Sequence, residues 1–137
     1  MSKRSRILLA LPLVIAFGVM GCGASDPAAP GDTVAPAAVL DISVTVEGSG
    51  PAQTVTVTWA PGSEADLAGY NVYRSKDNQA ATLVGVETAN NFVDTGVVTG
   101  STYRYEVSSV DTAGNESARV ASATFVLGQR HHPDSHD

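Results

Sequence analysis

The sequence predicts an all-β fold, an antiparallel sandwich, on three observations. Apolar residues recur at every second position, as where Val55, Val57 and Trp59 alternate with Thr54, Thr56 and Thr58; this is the period of a strand with one buried face. Clusters of Gly, Pro, Asn and Asp, such as Gly48-Ser49-Gly50-Pro51 and Asp111-Thr112-Ala113-Gly114-Asn115, punctuate those runs at short intervals and mark turns. No stretch has the length and 3.6-residue period of a helix in a folded domain. About seven short strands divided in this way build two packed sheets.

The chain's first segment is set apart from that fold. Lys3, Arg4 and Arg6 precede an apolar run from Ile7 to Val19, broken by Pro12 and Gly18. A basic start and a short apolar centre mark a secretory signal, and the run falls short of the about 20 residues a membrane span needs. Val19-Met20-Gly21-Cys22 then resembles the lipobox of bacterial lipoproteins, with Met20 a less usual occupant of its position. In that family the cysteine thiol takes a diacylglycerol and the chain is cut before it, so residues 1–21 are expected to leave and Cys22 to be lipidated. Cys22 is the chain's one cysteine, so no internal disulfide explains it. Lipidation also removes a free thiol that an oxidising compartment would attack. Two or three acyl chains anchor firmly where one is marginal. Gly23, rather than Asp, follows the cysteine; in a Gram-negative host the resemblance then implies the outer membrane, with the side that the domain faces left open.

Residues 22–36 are expected to form the lipidated N-terminus and a flexible linker. Their small residues and prolines build no apolar face, and at about 3 Å per residue they would reach roughly 40 Å from a bilayer.

Residues 37–128 are expected to hold the strands. In the first, Leu40, Ile42, Val44 and Val46 form the expected inward row. The second is the Thr/Val run ending at Trp59, both residue types being β-branched. Ala60 to Gly69 reads as a loop. Tyr70 to Arg74 follows as a short strand with Tyr70 and Val72 inward, which sends Tyr73 outward as a candidate aromatic contact or as plain cover for the sheet's outer surface. Ala81 to Val86 and Asn91 to Val93 read as two short strands. Ser101 to Val110 carries Tyr103, Tyr105 and Val107 inward. Ala118 to Leu127 closes the domain, with either the Val120 or the Ala121 row facing in.

Several phrases in this order resemble the fibronectin type III family. Thr58-Trp59 resembles the strand end whose tryptophan packs between the sheets. Asp66-Leu67-Ala68-Gly69-Tyr70-Asn71-Val72-Tyr73-Arg74 resembles a phrase common in bacterial members. Val97 with Gly100-Ser101-Thr102-Tyr103-Arg104-Tyr105-Glu106-Val107 resembles the corner leading into the sixth strand, and Asp111 to Ser117 the loop after it. The resemblance implies an immunoglobulin-like, seven-stranded β-sandwich with Trp59, Tyr70, Val72, Tyr103, Tyr105 and Val107 in its core. It also implies that the Tyr103 hydroxyl bonds back to nearby backbone. One departure is Ala37-Ala38-Val39 where a second proline is usual. No Arg-Gly-Asp triplet is present.

Eight basic against 14 acidic residues give a formal charge of −6, and loss of the leader removes three of the bases. This argues against a nucleic-acid partner. Catalysis also lacks parts. The one thiol is expected to be acylated, and His131, His132 and His136 all lie in residues 129–137, expected to be a disordered tail that cannot orient a base. With Asp134 and Asp137 these histidines are metal-capable by ligand type, but they read as a solvated terminus rather than a site. Glu64 with Asp66, and Asp111 with Asn115, lack the alternating spacing of a calcium loop; the second pair reads as a turn cap, the first as solvated loop. A domain this small leaves little room for the paired carboxylates and cleft of a glycosidase. The expectation is therefore a protein without catalytic residues or cofactor, anchored in the bilayer through Cys22. It would act as a protein-interaction or adhesion module, or else as a carbohydrate-binding accessory or a spacer in an envelope complex.

Overall fold

The computed structural model describes residues 31–128, so Cys22 and the leader, and the tail with His131, His132 and His136, lie outside the described residues. Eight strands follow in order: β1 (Leu40–Glu47), β2 (Thr54–Ala60), β3 (Leu67–Lys76), β4 (Thr82–Glu87), β5 (Asn91–Asp94), β6 (Thr102–Asp111), β7 (Val120–Ala121) and β8 (Phe125–Val126). A single 3-10 turn, Gly50–Ala52, interrupts them. β1, β2 and β5 form a small antiparallel sheet, and β4, β3, β6 and β7 a larger one, with β8 also paired to β6. The chain is an all-β sandwich.

Alternation puts one row of each strand between the sheets. Val55, Val57 and Trp59 of β2 meet Tyr70 and Val72 of β3 and Tyr103, Tyr105 and Val107 of β6, and all eight are buried. Trp59 and Tyr70 meet edge to face, with ring centroids 5.2 Å apart, an arrangement the ring quadrupoles favour. Each such side chain contributes about 1.5–3 kcal/mol on burial. Among the described residues, the Trp59 indole nitrogen is the one buried side-chain polar atom without a hydrogen-bond partner.

Three expectations need correction. Leu40 is 67% exposed, and Val39, at 4%, takes its place in the core. The cause is a bulge: Leu40 pairs with Ala60 but Ser43 with Thr58, so β1 holds one extra residue there. Asp41 absorbs it with a φ of 52°, and the inward row resumes at Ile42 and Val44. Val46 at the strand's far end is also left exposed.

The last strand is two short pieces rather than one, which makes eight segments instead of seven. Between β7 and β8, Ser122 turns inward. Its backbone N–H donates to the Tyr105 carbonyl at 2.8 Å, while its hydroxyl accepts the Tyr105 N–H at 3.1 Å. A side-chain oxygen thus replaces a backbone carbonyl in the ladder. Ser117 does the same against Ser109. No single alternating row spans the segment, so Val120 packs on the core and so does Phe125, an odd number of residues later.

The third strand is longer than expected, running from Leu67, within what reads as a loop, to Lys76. Of the two readings of Tyr73, plain cover holds over exposed contact: it faces outward and is covered to 8% exposure.

Candidate functional surfaces

Antiparallel strands bring three loops to each end of the sandwich. The end where β1 begins carries the β2–β3 and β6–β7 loops, joined where Thr112 N–H donates to the Asp66 carbonyl at 2.9 Å. The approach to β1 is held there too. Asn115 Nδ2 donates to the Asp32 and Val34 carbonyls at 3.2 and 3.4 Å, and Ala37 N–H donates to Glu64 Oε1 at 2.9 Å. That bond holds the Glu64 carboxyl below its ordinary range, so Glu64 is part of the loop's wiring rather than simply solvated.

Carboxylate oxygens of Asp32, Asp66 and Asp111 lie within 4.8 Å of one another at this end. Asp32 falls in the segment read as linker, so sequence reasoning did not group it with the other two. Asp111 is already engaged: Oδ1 accepts the N–H groups of Ala113 and Asn115, and Oδ2 accepts Asn115 Nδ2. Burial pushes the Asp111 carboxyl up, but these bonds win and hold it below its ordinary range. The Asp111–Asn115 pair therefore shapes a turn.

A second group of polar atoms lies inside the sandwich. Asp94, at the end of β5 and 6% exposed, accepts from Arg74 of β3 at 2.8 Å and from the Tyr105 hydroxyl of β6 at 2.9 Å. Gly96 N–H satisfies its other oxygen. The charge is paired across the two sheets, as a buried carboxylate requires. Burial and the Asp94 carboxylate together push the Tyr105 phenol far up. Burial disfavours the Arg74 charge, but Asp94 more than restores it.

Two tyrosine hydroxyls close loops. Tyr103 accepts Val98 N–H at 2.9 Å across the β5–β6 corner, and Tyr70 accepts Gly62 N–H at 2.8 Å in the β2–β3 loop.

The outer faces of the sheets differ in chemistry. On the large sheet, Arg119 stacks 3.4 Å from the Tyr73 ring centroid. Tyr73 donates to Glu116 Oε1 at 2.7 Å, Ser108 donates to the same oxygen, and Glu106 pairs with Arg104 and Arg119. Burial raises the Tyr73 phenol, helped by its bond to Glu116. Burial also pushes Glu116 up, but the Ser108 and Tyr73 hydroxyls prevail and hold it below its ordinary range.

The small sheet carries hydroxyls instead. Its register sets Ser43 beside Thr58, Thr45 beside Thr56 and Glu47 beside Thr54. On the far side of β2, Thr58 faces Asn91 and Thr56 faces Val93.

No family model matches the sequence. Over 112 residues the chain is 34% identical to Exoglucanase B of Cellulomonas fimi, a match that takes in 79% of this chain but 9% of that protein. A poly(3-hydroxybutyrate) depolymerase of Delftia acidovorans is 33% identical over 104 residues, 76% of this chain and 19% of that one. The chain thus spans a small fraction of these curated relatives. Among solved structures, the crystal structure of a Fn3-like protein from Clostridium thermocellum is 34% identical with a TM-score of 0.50, covering 64% of this chain and 92% of that one.

Proposed function

Because the chain belongs to the fibronectin type III-like family, we propose that it is a non-catalytic accessory module, held at a bacterial cell envelope by a lipid on Cys22. The observation that carries the first half is the character of the shared stretch. It is a minor part of one relative named an exoglucanase and of another named a poly(3-hydroxybutyrate) depolymerase. A segment common to enzymes of such different names supports a role in placing or binding, since fold alone brings no reaction. The interior agrees with this reading. Asp94 and Asp111, the buried acids among the described residues, are both engaged in hydrogen bonds that close turns or join the sheets.

Support for the second half is the basic-apolar leader ending in Val19-Met20-Gly21-Cys22, followed by a spacer rich in small residues and proline. An anchored domain that binds or positions needs reach, and the small residues and prolines between Cys22 and Asp32 have the composition of a spacer.

Within this role, a polymer-binding or spacing module is favoured over an adhesin that captures proteins by strand pairing. Each sheet edge is blunted: β1 and β4 carry bulges, β5 has four residues, and the β7–β8 edge is broken. Such features discourage addition of a foreign strand.

The test is fractionation of cells expressing the full chain or its Cys22→Ser variant, grown with a palmitate analogue that can be tagged. The wild-type chain should pellet with membranes after a high-salt wash and carry the label, and the variant should do neither. A wild-type chain that is soluble and unlabelled contradicts the anchor.

A further inference from the structure

The outer face of the small sheet is unlike the rest of the molecule. Ser43 and Thr45 of β1 and Thr54, Thr56 and Thr58 of β2 all point outward, because their neighbours Val44, Val55, Val57 and Trp59 point in. Strand geometry spaces these hydroxyls by about 6.7 Å along a strand and about 4.8 Å between strands. One rung is closed by a hydrogen bond, Ser43 Oγ to Thr58 Oγ1 at 2.9 Å. Asn91 and Val93 extend the first two rows onto β5.

Charge is sparse on this face and confined to its ends, although the chain carries 14 acidic residues. Glu47 stands at one corner, and Asp41 is exposed in the bulge at the other end of β1. The opposite face, by contrast, is laced by Arg104, Glu106, Glu116 and Arg119. Each threonine offers a methyl group and a hydroxyl side by side. That combination suits a neutral polysaccharide, whose sugar rings also present CH groups and hydroxyls. A protein partner fits less well, since the face holds no Trp, Tyr or Arg to anchor one.

We propose that the Ser43–Thr45 and Thr54–Thr56–Thr58 face binds the surface of an insoluble, neutral, hydroxyl-bearing polysaccharide. This rests on the accessory-module reading and names the ligand class for it. A patch three strands wide binds weakly by itself. Many lipid-anchored copies facing one polymer surface would act together, and such multivalency raises overall binding by about 10²–10⁴-fold.

The test uses phosphatidylcholine vesicles carrying many copies of the full chain, mixed with suspensions of microcrystalline cellulose, granular starch and albumin-coated beads. Retention is expected on at least one polysaccharide and not on the beads. Thr45→Lys with Thr56→Lys places two charges on the face and should lower the retained fraction about tenfold, while Arg104→Ser on the other sheet should not. Thr56→Val keeps shape and β-branching while removing one hydroxyl, and should weaken retention about two- to threefold; it serves if the lysine variant unfolds. No retention on either polysaccharide, equal retention on the beads, or retention unchanged in every folded face variant would overturn the inference. Membrane pelleting of the wild-type cells, done before the chain is extracted, separates the two readings: pelleting without polysaccharide retention fails this inference alone, whereas loss of pelleting fails the anchor.

Discussion

Tyrosine hydroxyls act here as pins, one residue at a time. Tyr103 accepts the Val98 N–H, and removing that acceptor strands a partly buried donor at a cost of about 1–3 kcal/mol. Tyr103→Phe should lower the unfolding free energy by that amount in urea titrations, with the Trp59 fluorescence of the folded state unchanged. Tyr105 makes a pH prediction. Its phenol is raised by burial and by Asp94, so the unfolded chain gives up this proton first, near pH 10. The contribution is complete below about pH 10 and is lost as pH rises above it. Urea titrations from about pH 8 to 11 should show stability falling, with a shallower fall in Tyr105→Phe; equal slopes would contradict this. Alternation alone places Tyr103 and Tyr105 on one face, so these positions are legible in the sequence. The Asp94–Arg74–Tyr105 junction is not, because it joins three strands by distances that no local pattern encodes.

At the scale of elements, alternation gives strands but not bulges. Leu40, Ile42, Val44 and Val46 make an unbroken period of two, yet the extra residue in β1 hands the first core position to Val39. The conformation that permits this is Asp41 at a φ of 52°. Asp tolerates that region through its short polar side chain, whereas a β-branched residue does not. Asp41→Ile should cost about 1–2 kcal/mol, and Asp41→Gly should stay within about 1 kcal/mol of the wild type; both are read from urea midpoints. Equal effects would mean that the bulge does not depend on this residue. The β7–β8 break was equally hidden, since Ser122 reads as an outward strand residue until its hydroxyl is seen to take the place of a carbonyl. Gly69 shows the reverse case. The phrase containing it was conspicuous, and the structure supplies the reason: a Cβ there would lie 2.5 Å from the Glu87 carbonyl oxygen.

For the whole molecule, a chain that enters at one end of the sandwich and leaves at the other suits a domain raised from a surface. The acids around Asp32 and Asp111 sit at the entry end, and the sheet faces stand clear to either side. The all-β architecture and most of the core were legible because burial and strand period coincide. The contacts that hold Asp32 to Ala37 against the domain were not, because they come from loops. The buried acids and tyrosines hold the sandwich together, and the proposed accessory role requires that the domain leave polymers uncut. The most direct test of that requirement is product release from suspensions of cellulose, starch and poly(3-hydroxybutyrate) incubated with the purified full chain. The account predicts release indistinguishable from buffer over many hours, and sustained release proportional to protein concentration would contradict it.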